Sequence, residues 1–142
     1  MGTLAARTRT ITSDNTPVFQ NEMLFNDIKT CIVGNYMPNK KILSKGRLEF
    51  FVRNNRLNID YIQIPFSFSS DQEGQLELLK VQKEMPRSHI KTMLCMIEMA
   101  LRSYGMFDHG TFSISYQMID DADNESRLDA DIFFEIQNHH SR

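Results

Sequence analysis

Tryptophan is absent from the chain and cysteine nearly so, with only Cys31 and Cys95. Two thiols do not make a disulfide framework, so a reducing compartment such as the cytoplasm is expected. Both lie among apolar neighbours and read as small buried hydrophobes. No stretch approaches the roughly 20 apolar residues that span a bilayer, and no early apolar run suggests a signal peptide. Ala6 stands where a myristoylation signal needs Ser or Thr, so acylation of Gly2 is not expected. Metal spacings are missing as well. His89, His109, His139 and His140 are scattered, and no Cys-x-x-Cys accompanies them. A loop read from Asp121 places acids at its positions 1, 3 and 5. It then has Ser126 where an EF-hand needs Gly and Ile132 where it needs a bidentate Glu. A solvated acidic turn fits better, and neither metal nor cofactor is expected. No phosphate-cradling glycine loop is present. Cys95 beside His89 or His109 is a poor nucleophile pair, since apolar surroundings raise a thiol pKa. A small-molecule enzyme is therefore the weakest reading, and a non-enzymatic protein is expected.

What the chain does have is charge sorted along its length. Residues 39–56 carry six bases (Lys40, Lys41, Lys45, Arg47, Arg53 and Arg56) against Glu49, a balance of +5. Residues 108–137 carry eight acids against Arg127, a balance of −7, while the whole chain is only −2. Such polarity bears on association and steering more than on fold.

Residues 1–21 read as a flexible basic arm holding Arg7 and Arg9, 22–138 as one α+β domain, and 139–142 as a frayed end. Residues 23–37 read as a strand because Ile28, Thr30, Ile32 and Val33 are β-prone; a short helix is the alternative. Residues 47–53 and 57–68 form a hairpin turned by Asn54-Asn55, whose returning strand changes phase after Tyr61 as at a bulge. Ser69-Ser70-Asp71 with Glu73 predicts the cap of a short helix. Residues 87–104 predict a longer one, with Ile90, Met93, Leu94, Ile97 and Leu101 on one face, Pro86 before it and Gly105 after it. Cys95, Met96 and Met99 widen that apolar face, so the helix is either sandwiched in the core or partly used by a partner. Residues 111–118 and 128–136 alternate as a half-buried hairpin. The expected fold is one antiparallel sheet of about five strands, with two helices inserted between two hairpins and packed on one face.

Phe51 and Phe133 break their strands' alternation by occupying the polar side. Outward aromatics mark interfaces, and with Asp129, Asp131 and Glu135 opposing the basic hairpin they suit head-to-tail self-association into a homo-oligomer. The bases, with Arg7 and Arg9, suit an anionic lipid surface or single-stranded RNA, the aromatics offering stacking platforms. The plain alternative is a charged rim that keeps an edge hairpin soluble. The run from Gly110 to Asp121, GTFSISYQMIDD, resembles the late strand of rhabdovirus matrix proteins over about a dozen residues. That resemblance implies a virion protein bridging membrane and nucleocapsid. The chain departs from it in its net charge of −2 and in lacking a Pro-Pro-x-Tyr budding motif.

Overall fold

Two helices cover one face of a four-stranded antiparallel sheet and leave the other face open, an α+β arrangement as expected. The computed structural model describes residues 19–79, 82–120 and 126–138. The elements run α1 (Glu22–Cys31), a π-helical extension (Ile32–Tyr36), β1 (Lys45–Arg53), β2 (Arg56–Gln63), β3 (Phe68–Ser70), β4 (Leu76–Leu78), α2 (Arg87–Tyr104), β5 (Gly110–Asp120) and β6 (Ser126–Ile136). The sheet order is β2-β1-β5-β6, so the two long hairpins join side by side through β1 and β5. The sheet has four strands, not about five, because residues 23–37 are helical.

The reason lies in the spacing of that first segment. Leu24, Ile28, Ile32 and Tyr36 recur every fourth residue and are all buried. Period four is a helical face whatever the β-propensity of the residues, and packing outweighs that propensity. At 3.6 residues per turn, a strict four-residue spacing drifts by about 40° per repeat. The wider π turn at Ile32–Tyr36 takes up this drift and keeps Tyr36 on the core side. α1 therefore precedes both hairpins, and only α2 lies between them.

The segment after β2 is the second correction. Asp71 does not cap a helix. Its carboxylate accepts the amides of Glu73 and Gln75, both at 2.9 Å, and so closes a turn. Asx turns compete with helix caps for the same residues. Phe68 then pairs with Leu78 and Ser70 with Leu76, in a two-stranded hairpin separate from the main sheet.

The remaining elements follow their patterns. Asn54 and Asn55 both have positive φ, 53° and 58°, as a type I′ turn requires. The phase slip in β2 falls at Asn58, earlier than the alternation suggests. Phe51 faces Ile59 while Val52 faces Leu57. Ile59 and Tyr61 thus point to the open face and Leu57 and Ile62 to the core side. α2 buries Ile90, Met93, Ile97 and Leu101 against Leu48, Phe50, Phe112 and Ile114. Each such side chain contributes roughly 1.5–3 kcal/mol. α2 is not sandwiched: Cys95 and Met99 face solvent. Tyr104 stacks on Phe134 at 4.1 Å, closing an aromatic cluster with Phe107 and Phe112.

The domain also begins before residue 22. Phe19 packs on Phe25 and lies 4.1 Å beneath the Arg102 guanidinium. Asn21 is fully buried, and its side chain ties together three distant segments. It donates to the carbonyls of Leu101 and Gly105 and accepts from the Phe107 amide and the Asn55 side chain. Arg7 and Arg9 of the arm, the acidic loop 121–125 and the end at 139–142 lie outside the described residues.

Candidate interaction surface

The open face of the sheet gathers most of the residues singled out by charge and aromatic placement. Along β1 the odd residues Lys45, Arg47, Glu49, Phe51 and Arg53 point to it. β5 contributes Thr111, Ser113, Ser115 and Gln117, and β6 contributes Asp129, Asp131, Phe133 and Glu135. Register aligns them in rows: Lys45 with Gln117 and Asp129, Arg47 with Ser115 and Asp131, Phe51 with Thr111 and Glu135. The basic strand and the acidic strand thus lie two strand spacings apart, about 10 Å, across a stripe of neutral hydroxyls and amides. The hairpins of opposite charge are neighbours on one surface, not the two remote ends of the molecule.

Arg47 lies across that stripe. Its guanidinium donates to Ser115 Oγ at 2.8 Å and Ser113 Oγ at 3.0 Å, and pairs with Glu49 at 3.2 Å. It also sits 5.4 Å from the Phe133 ring centroid. This cover explains why Ser113 is buried although it faces away from the helices. Phe51 meets Tyr61 edge to face at 5.5 Å. Tyr61 and Ile59 join Phe133 as exposed apolar groups on this face. The alternation of β2 concealed both, because the bulge at Asn58 decides which side they take.

Not every base is free to bind. Arg56 makes a two-pronged bond to Asp27 of α1, at 2.8 and 2.9 Å. Those bonds, with one from the Leu57 amide, hold the Asp27 carboxyl below its usual range. Arg56 therefore fastens α1 to β2. Lys40, Lys41, Lys45 and Arg53 are exposed and form no ion pair among the described residues. Lys40 and Lys41 precede the sheet in the turn after α1, so the basic segment is spread along β1 and does not form one compact patch.

A concavity of about 760 Å³ opens where Lys45, Arg47, Gln63, Ser115, Asp129 and Asp131 approach one another. A second, of about 480 Å³, lies beside the β1–β2 turn and is lined by Phe51, Arg53, Ile59 and His109 among others. Tyr116 is buried with its hydroxyl against Gly46, where a Cβ would come within 2.6 Å of that oxygen. Burial alone pushes its pKa up, and the hydroxyl has no hydrogen-bond partner among the described residues. Among the described residues no group of three or more His, Cys, Asp or Glu is placed to hold a metal ion. No described helix is long and apolar enough to cross a membrane.

The two thiols differ, contrary to the expectation that both are buried. Burial, with Asp60 nearby, pushes the Cys31 thiol up to about 12. The Tyr36 hydroxyl donates to the same Asp60 carboxylate, and this cluster pins the end of α1 to the β2 edge. Cys95 is on the solvent side of α2. Treatment of the native protein with a disulfide reagent at neutral pH is expected to modify one thiol rapidly. Cys95→Ser should remove that phase, and a fast phase surviving the substitution would contradict the burial of Cys31.

The fold is an open-faced α+β sheet whose uncovered side bears aromatic and oppositely charged groups. No family model, no curated protein and no solved structure matches the chain.

Proposed function

We propose that the chain is a non-enzymatic, self-associating structural or adaptor protein of the matrix-like kind, bridging an anionic membrane surface and a nucleoprotein. The observation that carries this reading is the uncovered sheet face, with bases on β1, acids on β6 and exposed Phe133, Tyr61 and Ile59. A face of this composition supports association with copies of itself, since each copy offers both signs of charge. Lys40, Lys41 and Lys45 remain for anionic lipid headgroups. A cytoplasmic or virion location belongs to the same proposal.

Sedimentation velocity at low and high salt tests it. Oligomers are expected at low salt and smaller species at high salt, as charge screening grows. Arg53→Glu should weaken association about tenfold, the effect of ~1.4 kcal/mol. A strict monomer at both salts ends the reading. One observation favours a second reading, single-stranded nucleic-acid binding. The open face of four strands presents Phe51 and Tyr61 between Arg47 and Arg53, the combination on which bases stack. In the same preparation, vesicle flotation and RNA filter retention separate the two. Loss of RNA retention in Tyr61→Ala selects the nucleic-acid reading, and loss of flotation in Lys40→Glu with Lys41→Glu selects the lipid surface.

A further inference from the structure

The β3–β4 hairpin is well formed and yet covers nothing among the described residues. Its strands are held by pairing of Phe68 with Leu78 and Ser70 with Leu76, its turn by Asp71, and its base by a 2.9 Å bond from the Leu79 amide to the Ser67 carbonyl. Register places Phe68, Leu76 and Leu78 on one face and Ser69 and Glu77 on the other. The apolar face is open to solvent: Phe68 is 62% exposed and Leu76 75%, with Phe66 and Leu79 exposed beside them. A two-stranded ribbon is marginal in water on its own, and an apolar face of this kind marks a contact. The segment 66–79 also carries Asp71, Glu73 and Glu77 and no base. Its partner must therefore be apolar and positively charged, which disfavours an anionic membrane.

A groove among the described residues has that chemistry. The 480 Å³ groove beside the β1–β2 turn is lined by Phe51, Val52 and Ile59, with Arg53 and His109 at its edge and no acid among its lining residues. The larger concavity is a poorer match, because Asp129 and Asp131 line it. The hairpin leaves β2 after Gln63, whereas the groove lies at Asn58 and Ile59, toward the start of the same strand. We infer that the β3–β4 hairpin of one copy docks in the β1–β2 groove of a second copy, Phe68 and Leu76 meeting Phe51 and Ile59 while Asp71 and Glu73 face Arg53 and His109. This rests on the self-association reading and names its contact.

Because the two surfaces differ, complementation tests it. Phe68→Ser with Leu76→Ser disables the hairpin, and Arg53→Glu with Ile59→Ser disables the groove. All four positions lie outside the buried core, and circular dichroism is the check that each variant folds. Each double variant alone is expected to sediment as a monomer. Their equimolar mixture should form a one-to-one complex, since one retains the groove and the other the hairpin. If the unaltered chain associates but the hairpin variant associates equally well, the inference fails while self-association stands. An associating unaltered chain whose two variants, mixed, remain monomeric also overturns it. An unaltered chain that is monomeric at every concentration overturns both. Flotation of that monomer on zwitterionic vesicles, lost in the hairpin variant, would assign the hairpin to lipid instead.

Discussion

Gly110→Ala is expected to cost about 3–4 kcal/mol, the sum of backbone strain and overpacking at a site that cannot relax. Gly110 starts β5 with φ +143°, a conformation that side chains disfavour. A Cβ there would stand 2.1 Å from the backbone carbonyl oxygen of Glu135 and 3.0 Å from the Phe107 ring. The obstacle is the β6 backbone across the ladder, which cannot swing aside as a long side chain could. A loss of this size is a large part of the stability of an ordinary domain, about 5–15 kcal/mol. Gly34→Ala is the control. Its nearest neighbour would be the Thr30 methyl at 3.9 Å, within a helical segment, and alanine there should add about 0.5–1 kcal/mol. Urea unfolding followed by circular dichroism measures both. A Gly110→Ala protein within 1 kcal/mol of the parent, on the scale of an ordinary surface substitution, would contradict the close approach of β6.

Asn21→Ala is the second large effect, at about 3–4 kcal/mol, because several buried polar groups lose their partner at once. The Phe107 amide and the Asn55 side chain lose an acceptor, and the carbonyls of Leu101 and Gly105 lose a donor. Asn21→Asp separates the two halves of this role. It keeps the acceptor but turns a carboxylate toward two carbonyl oxygens in a buried site. Burial and those oxygens raise the folded-state pKa of the introduced carboxyl above its unfolded value of about 4. The penalty is therefore complete above the folded-state pKa and disappears as pH falls through the window to about 4. Urea midpoints measured across that range should converge on those of the parent corrected for its own acid sensitivity. A penalty independent of pH would mean that the lost donor, and not the added charge, dominates.

Strict alternation made β5 and β6 legible in sequence, since every second residue from Phe112 to Met118 and from Leu128 to Ile136 faces the same way. α2 was equally legible from its threes and fours, bounded by Pro86 and Gly105. The failures came where two physical signals competed. In α1 and its π-helical extension, β-branched Ile28, Thr30, Ile32 and Val33 argued strand while the period of four argued helix, and burial of Leu24, Ile28, Ile32 and Tyr36 decided for the period. At Asp71 one carboxylate served a helix cap or a turn equally well, and pairing across Phe68 and Leu78 decided for the turn. The outward positions of Phe51 and Phe133 were readable from parity. Ile59 and Tyr61 were not, because the alternation places the phase slip after Tyr61 whereas the bulge falls at Asn58. Nor does alternation reveal that Arg47 crosses β5, since that contact joins residues far apart in the chain.

The seam between β1 and β5 also governs how the sheet is built. Each long hairpin brings together residues that are close in sequence, and such hairpins form within microseconds. The seam instead pairs Lys45–Val52 with Gly110–Gln117, closing a loop that contains the small hairpin and all of α2. Contacts of that separation slow folding, because chain entropy is lost before the contact compensates for it. The meeting of the two ribbons is thus the step expected to limit folding. Until they meet, each presents an unpaired strand edge to its surroundings, β1 on one and β5 on the other. Nascent chains are then most exposed to pairing with one another at the seam that the finished fold hides best.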